Sequence, residues 1–309
     1  MNERGLTRRE VCALLAASVV LPTPPTHAAN TQEHGMTTRR IGGSEESVPV
    51  IGMGSSNTFD VGGSPAERSP LREVLQVFAA GGGTVIDTSP MYGRAESVLG
   101  DLIDELHLRP KFWLATKVWT RGQSEGLRQI ETSMRRLRTS TLELVQIHNL
   151  LDWREHVPTL RNLKQSGKIR YTGITHYRAD AHESLLQVLG AERFDWVQVN
   201  YSLGEREAES RLLPYCAEHH IAVLANRPFA DGGLFDKTRG KPLPPWAAEI
   251  GCESWAQFFL RYACSHPAVT CAIPATAKPS HMTDNVAAGR MPLPDARQRV
   301  RMAEYFAAL

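Results

Sequence analysis

Between residues 48 and 274 short apolar runs alternate with longer amphipathic ones. The short runs are VPVIGMG (48 to 54), TVIDT (84 to 88), FWLATKV (112 to 118), LELVQIH (142 to 148), RYTGIT (170 to 175), WVQVNY (196 to 201), IAVLANR (221 to 227) and VTCAIP (269 to 274). Their length and their content of branched and aromatic residues predict buried strands. The segments between them, among them PLREVLQVFAAG, EGLRQIETSMRRLRT, VPTLRNLKQSGK and SRLLPYCAEHH, place apolar residues three and four apart, as helices do. Strands alternating with helices predict a parallel sheet. Eight such units in about 270 residues fit an α/β protein with a (β/α)8 TIM barrel, one domain over residues 39 to 309, whose chemistry collects at the C-terminal strand ends. A doubly wound sheet is the structural alternative, but no G-x-G-x-x-G follows the first strand.

Composition narrows the function classes. The 309 residues are 42% hydrophobic and 22% charged, enough to bury one large core. The net charge of +2 comes from interspersed signs and not from a basic stripe, so nucleic acid is not an expected partner. Five cysteines are present, and Cys216, Cys252, Cys264 and Cys271 show no C-x-x-C spacing, so no metal and no redox dithiol is expected.

The first 28 residues have a separate pattern. Arg8 and Arg9 precede the apolar VCALLAASVVL, and a proline-rich stretch closes at Thr26-His27-Ala28. This run is too short to span a bilayer and has the basic, apolar and small-residue parts of a signal peptide. The arginine pair resembles the twin-arginine export signal. Residues 1 to 28 are therefore expected to be a signal peptide and residues 29 to 38 a polar linker. The export machinery is then a partner, stable membrane insertion is not expected, and the destination is the periplasm. A chain that folds in the reducing cytoplasm before export is expected to keep its thiols free and buried.

Four polar residues fall at or just past the ends of consecutive strands: Asp87 and Tyr92 after the second, Lys117 in the third and His148 closing the fourth. Each alone reads equally well as a cap, a rim aromatic, a snorkelling lysine or a core histidine. Together they converge on one barrel mouth. The stretches IDTSPMYGRAESVLG, LATKVW and LELVQIHN resemble the D-T-A-x-x-Y-G-x-x-E-x-x-x-G, strand-three lysine and D-L-x-x-x-H-x motifs of the aldo-keto reductases, and the resemblance covers residues 38 to 295. It implies a catalytic tetrad of Asp87, Tyr92, Lys117 and His148. The chemistry agrees with that set. A carbonyl accepting hydride from a nicotinamide needs a proton on its oxygen, and a phenol with a pKa of about 10 gives one poorly unless a cation stabilises the phenolate. Lys117 is placed to do so, Asp87 to keep the lysine charged, and His148 to polarise the carbonyl.

The resemblance also implies a cofactor site, with NADPH favoured and NADH possible. IPATAKPSHMTDN is similar to the segment that wraps the adenosine 2'-phosphate and adenine, so Thr276, Lys278 and His281 would face the phosphate, and Asp284 and Asn285 the adenine. Members often carry a lysine directly after the proline and an arginine further on, where this chain has Ala275 and His281. Thr175, His176 and Gln198 would hold the carboxamide. Asn226 stands where an aromatic often stacks on the ring, and by the same resemblance Arg227 would contact the pyrophosphate. Trp119 and Phe59 would wall the pocket for a small carbonyl substrate. Two other classes remain open from the residues alone: a cofactor-binding regulatory subunit with little turnover, and a barrel metal hydrolase using Asp87 and His148, which lacks the H-x-H spacing such sites need.

Export yields a direct test. Changing Arg8 and Arg9 together to lysine is expected to retain the protein in the cytoplasm, whereas the parent is found in the periplasmic fraction with its N-terminus near Ala29; unchanged fractionation of the double variant would refute the signal.

Overall fold

The computed structural model describes residues 35 to 290 and 292 to 309. The expected signal peptide and most of the expected linker lie outside them. Two short strands, β1 (Thr38–Arg40) and β2 (Ser47–Pro49), form an antiparallel hairpin. Eight parallel strands follow: β3 (Met53–Gly54), β4 (Val85–Asp87), β5 (Trp113–Val118), β6 (Leu142–His148), β7 (Ile169–His176), β8 (Trp196–Asn200), β9 (Ala222–Asn226) and β10 (Cys271–Ala272). They pair in sequence order, and bridges Ile51–Ala272 and Gly54–Ala275 join the last strand to the first, closing the barrel. The outer layer is α1 (Pro65–Ala80), α2 (Ala95–Glu105), α3 (Gln123–Arg136), α4 (Trp153–Gln165), α5 (His182–Ala191), α6 (Leu212–Glu218), α7 (Gly233–Thr238), α8 (Trp255–Ser265), α9 (Pro279–Ala287) and α10 (Ala296–Ala307). None of the described helices is long and apolar enough to cross a membrane.

The run at 48 to 54, expected as one strand, is divided. Its start pairs antiparallel with Thr38–Arg40, and its end enters the barrel. The seam explains the glycine between Ile51 and Met53. A Cβ at Gly52 would lie 2.9 Å from both Cys271 Sγ and Val85 O, while its amide donates to Ala272 O at 2.8 Å. Only a residue without a side chain lets the first and last strands approach this closely. The expected linker also ends early: Thr37 N donates to Gly289 O at 2.8 Å, and Met36 packs against the core.

Two apolar layers result. Between barrel and helices lies the larger cluster, built from residues such as Ile86, Leu114, Val145, Ile147, Val197 and Val223. Inside the barrel lies a smaller one of Val85, Trp113, Ala115, Leu144, Trp196, Leu224 and Cys271, joined at one end by Ile41 and Val48 around the hairpin. Because side chains alternate faces along a strand, the inward positions continue two residues on from these apolar ones. There they become polar: Asp87 after Val85, Lys117 after Ala115, Gln146 and His148 after Leu144, Gln198 after Trp196, and Asn226 after Leu224. The barrel interior thus has a hydrocarbon floor and a polar rim. The four described cysteines are buried and unbridged, and burial pushes the thiols of Cys216, Cys252 and Cys264 up to about 12.

The last helix is pinned to the barrel by charge. Arg299 on α10 donates from Nη2 to Tyr201 Oη at 2.8 Å and to Glu209 Oε1 at 2.9 Å, and from Nη1 to Tyr262 O at 2.6 Å. Glu209 also accepts from the hydroxyls of Tyr201 and Tyr262 and from Arg206. Burial raises the Glu209 carboxyl, but these donors outweigh it and hold the group at about 2. A depressed carboxylate pKa stabilises the fold above the ordinary value near 4.5 and loses that contribution as pH falls towards 2. Glu209→Gln is expected to cost about 1.5 kcal/mol at pH 7, the low end for a bond to a charged group because the site is partly exposed. It should also flatten the acid limb of stability between pH 4.5 and 2; denaturant melts of parent and variant across that range, if superimposable, would contradict this.

Candidate active site

The polar rim is organised around one buried cation. Lys117 is wholly buried, and its Nζ donates to Asp87 Oδ2 at 2.6 Å and to Thr88 O at 2.8 Å. An unpaired ammonium in such a place costs several kcal/mol, so the pairing is obligatory. The second Asp87 oxygen accepts from Gln198 Nε2 at 2.8 Å and from Gln146 Nε2 at 3.1 Å, so both carboxylate oxygens are engaged. Burial lowers the Lys117 pKa, yet Asp87 and the phenol of Tyr92 raise it by more, and the amine stays protonated.

Tyr92 is presented by the turn that links β4 to α2. Its amide donates to Ser89 O at 3.1 Å, and its carbonyl accepts from Ala95 N at 3.0 Å. Gly93 adopts φ +55°, and a Cβ there would run into the Asp60 carboxylate, whose Oδ1 accepts from Arg94 N at 3.0 Å. Behind the turn, buried Glu96 accepts from Thr116 Oγ1 at 2.7 Å and from Arg136, tying the start of α2 to the strand that carries Lys117. The Lys117 ammonium lies 4.9 Å from the centre of the Tyr92 ring. The expected lowering of the phenol by this cation is present but does not prevail: burial raises the pKa by more than Lys117 pulls it down. Tyr92 is therefore a protonated phenol with a cation beside it.

His148 ends β6 and is nearly buried. Tyr92 meets its ring edge-on at 6.2 Å, and Trp119 tilts over it at 6.3 Å. Burial, then the Lys117 charge, lowers the imidazole to about 3, so it is neutral at ordinary pH. Trp119, on a loop whose backbone exchanges two hydrogen bonds with the Gln129 side chain, is 41% exposed at the mouth. All four strand-end residues except Lys117, which lies beneath them, border a cleft of about 710 Å³.

The other expected residues fall into three groups. Thr175, Gln198 and Arg227 line the cleft with Asn226. Gln198 is committed on both sides, since its Oε1 accepts from Thr175 Oγ1 at 3.3 Å and from Asn226 Nδ2 at 3.4 Å. Arg227 sits at φ +50° with its Nη2 paired to Asp231 at 2.8 Å. Thr276, His281, Asp284 and Asn285 line an adjoining pocket of about 380 Å³, which shares Phe229, Phe235 and Ala275 with the cleft. Asp284 is held there by Ser254 Oγ and Gln257 Nε2, both at 2.6 Å, and exposed Lys278 stands at the start of α9 outside the lining. Two expectations are corrected. Phe59 is fully buried in the core, because its amide folds back onto Ser55 O and turns the loop inward. His176 does not line the cleft: its Nδ1 accepts from Arg178 N at 3.2 Å, and the next residue, Tyr177, faces the opening. Gln146 and Ser89 also belong to this rim, and Gln146 is marked in the chain by its place two residues before His148 on the same strand face.

Comparison with known proteins gives the family to which this barrel belongs. The model of the aldo/keto reductase family matches residues 50 to 299. The chain belongs to the aldo/keto reductase family. Among its relatives, methylglyoxal reductase YeaE of Escherichia coli (strain K12) is 32% identical over 248 residues, covering 78% of this chain and 85% of that protein. An NADH-specific methylglyoxal reductase of the same organism is 25% identical, covering 83% of this chain and 94% of its own. A solved aldo/keto reductase from Klebsiella pneumoniae in complex with NADP and acetate superposes with a TM-score of 0.73 at 30% identity, covering 88% and 95% of the two chains. The family's barrel is thus present here as an oxidoreductase fold.

In this aldo/keto reductase the neutrality of His148 is measurable without turnover. Its folded pKa of about 3 lies below the ordinary 6.5, so NMR of the native protein is expected to show no His148 titration between pH 5 and 8. The unfolded chain binds that proton and the native one does not, so stability falls as pH drops below 6.5. A transition near 6.5 assigned to His148 in the native protein would contradict the burial argument.

Proposed function

We propose that this chain reduces an aldehyde or ketone to an alcohol with NADPH, that Tyr92 donates the proton, and that Lys117, Asp87 and His148 assist it. The observation that carries the reading is the Asp87–Lys117 ion pair of 2.6 Å, buried beneath a protonated phenol and a neutral imidazole at one cleft. The remaining residues fit a nicotinamide dinucleotide. Asn226 Oδ1 and Asn149 Oδ1 are buried at the cleft without partners among the described residues, and the cleft runs on into the pocket of Thr276, His281 and Asn285. Thr175, Gln198 and Asn226 would meet the carboxamide, and Arg227 the pyrophosphate once released from Asp231. Thr276, His281 and Lys278 would meet the 2'-phosphate, a dianion that gains from one cation and several donors. The NADH-specific relative keeps NADH as a second cofactor to assay.

Bound NADPH supplies the hydride. The chain supplies the rest. His148, uncharged, donates a hydrogen bond to the substrate oxygen and orients it; an imidazolium here would repel Lys117. Tyr92 gives its proton to that oxygen as negative charge develops, and the phenolate left behind rests against the Lys117 ammonium. Asp87 keeps that ammonium charged, and Gln146 and Gln198 keep Asp87 from turning away. Trp119 and Met91, both exposed at the rim, offer apolar walls suited to a small carbonyl compound. Two relatives named methylglyoxal reductases make short 2-oxoaldehydes the first substrates to try. With Arg8 and Arg9 ahead of an apolar run, we also propose that the enzyme acts after export.

Tyr92→Phe removes one hydroxyl. NADPH affinity and folding are expected to survive, and single-turnover oxidation of NADPH by methylglyoxal to fall about 10²-fold or more, the scale of a lost general acid. If the variant binds cofactor normally and reduces the aldehyde at the parent rate, the proton-donor assignment fails.

A further inference from the structure

Resting on the reading just given, we infer that Ser89 is a positioning residue that fixes the tautomer of His148, holding the proton on Nε2 where it can make a hydrogen bond to the substrate oxygen. Ser89 is fully buried at the end of the strand that carries Asp87, and its Oγ lies 3.3 Å from His148 Nδ1. The direction of that contact follows from the hydroxyl's need for an acceptor. Met91 N donates to Ser89 Oγ at 3.4 Å, and among the described residues His148 Nδ1 is the one acceptor within reach of the hydroxyl's own proton, which would otherwise be buried unpaired. An imidazole nitrogen that accepts a hydrogen bond carries no proton of its own, and in the neutral ring the proton then sits on the other nitrogen.

The ring has little freedom to escape this arrangement. Tyr92 flanks it edge-on at 6.2 Å and Trp119 at 6.3 Å, and a ring flip would bring a carbon to the Ser89 hydroxyl in place of Nδ1 and lose the bond. Among the described residues, Nε2 has no hydrogen-bond partner in the protein, and His148 borders the cleft. The nitrogen left without a protein partner is the one the substrate needs. Without Ser89 both tautomers become accessible, and in one of them a lone pair would oppose the negative charge growing on the carbonyl oxygen. Ser89 thus acts through His148 and touches neither substrate nor cofactor.

Nitrogen-15 NMR of the full chain labelled at histidine reads the tautomer directly, with no turnover required. The parent is expected to show His148 with a protonated Nε2 and an unprotonated Nδ1, and Ser89→Ala a mixture of both forms. The same variant should keep its melting temperature and NADPH affinity, while kcat/KM for methylglyoxal falls about 3- to 10-fold, the range one neutral hydrogen bond supports. Ser89→Thr, which keeps the hydroxyl, should restore both the spectrum and the rate; if the extra methyl prevents folding, the alanine variant decides alone. A parent protonated at Nδ1, or a Ser89→Ala spectrum identical to the parent, overturns the inference. Absence of carbonyl reduction by the parent would strike the proposed function and leave the tautomer measurement standing.

Discussion

A lysine ammonium with no access to water is the constraint around which the mouth of this barrel is arranged. Removing that charge from solvent is tolerable only because Asp87 lies 2.6 Å away, and the carboxylate is tolerable only because two glutamines occupy its other oxygen. The dependence runs outward through Gln198 to Thr175 and Asn226, so side chains from six strands are fixed by one ion pair. A network of this kind rigidifies when every member is satisfied. It also makes the turn that carries Tyr92 meaningful, since the phenol gains from the cation only if the backbone holds it there, and Gly93, Asp60 and Glu96 do that from behind.

The electrostatic balance at Tyr92 shows why burial and charge have to be weighed together. A cation near a phenol suggests an easily ionised tyrosine. In the folded protein desolvation outweighs the cation, and the phenol keeps its proton until something else in the cleft takes it. The same two influences act in concert on His148, where burial and Lys117 both oppose the imidazolium. Burial therefore keeps the tyrosine protonated while Lys117 eases its ionisation, and the same lysine adds to burial in keeping the histidine neutral.

Much of this was legible in the chain because strands write their inward face at every second position. Asp87, Lys117 and His148 end apolar runs in register with that face, and the eight-fold alternation of strands and helices gave the barrel. What escaped did so for identifiable reasons. Gln146 looked like one more polar residue in a buried strand, since nothing local says that its partner is 59 residues away. Phe59 sits in a loop whose inward fold depends on backbone bonds to Ser55, which no periodicity records. Tyr177 borders the cleft where His176 is expected, because successive residues at the end of a strand look to opposite sides. The split of residues 48 to 54 reflects tertiary pairing with the hairpin and the closing seam, both set by distant segments.

The interior layering has an electrical consequence. Below Asp87 and Lys117 lie Val85, Ala115, Leu144 and Leu224, hydrocarbon that responds weakly to a field, and above them the cleft opens. The ion pair is in effect a fixed dipole seated on an insulating plug. Its field is poorly screened from below and has no mobile charge to meet there, so its influence is concentrated towards the opening, with the positive end against the phenol. The tryptophans and aliphatic side chains deep in the barrel, remote from any reacting atom, thereby set how strongly Lys117 is felt at the place where charge moves.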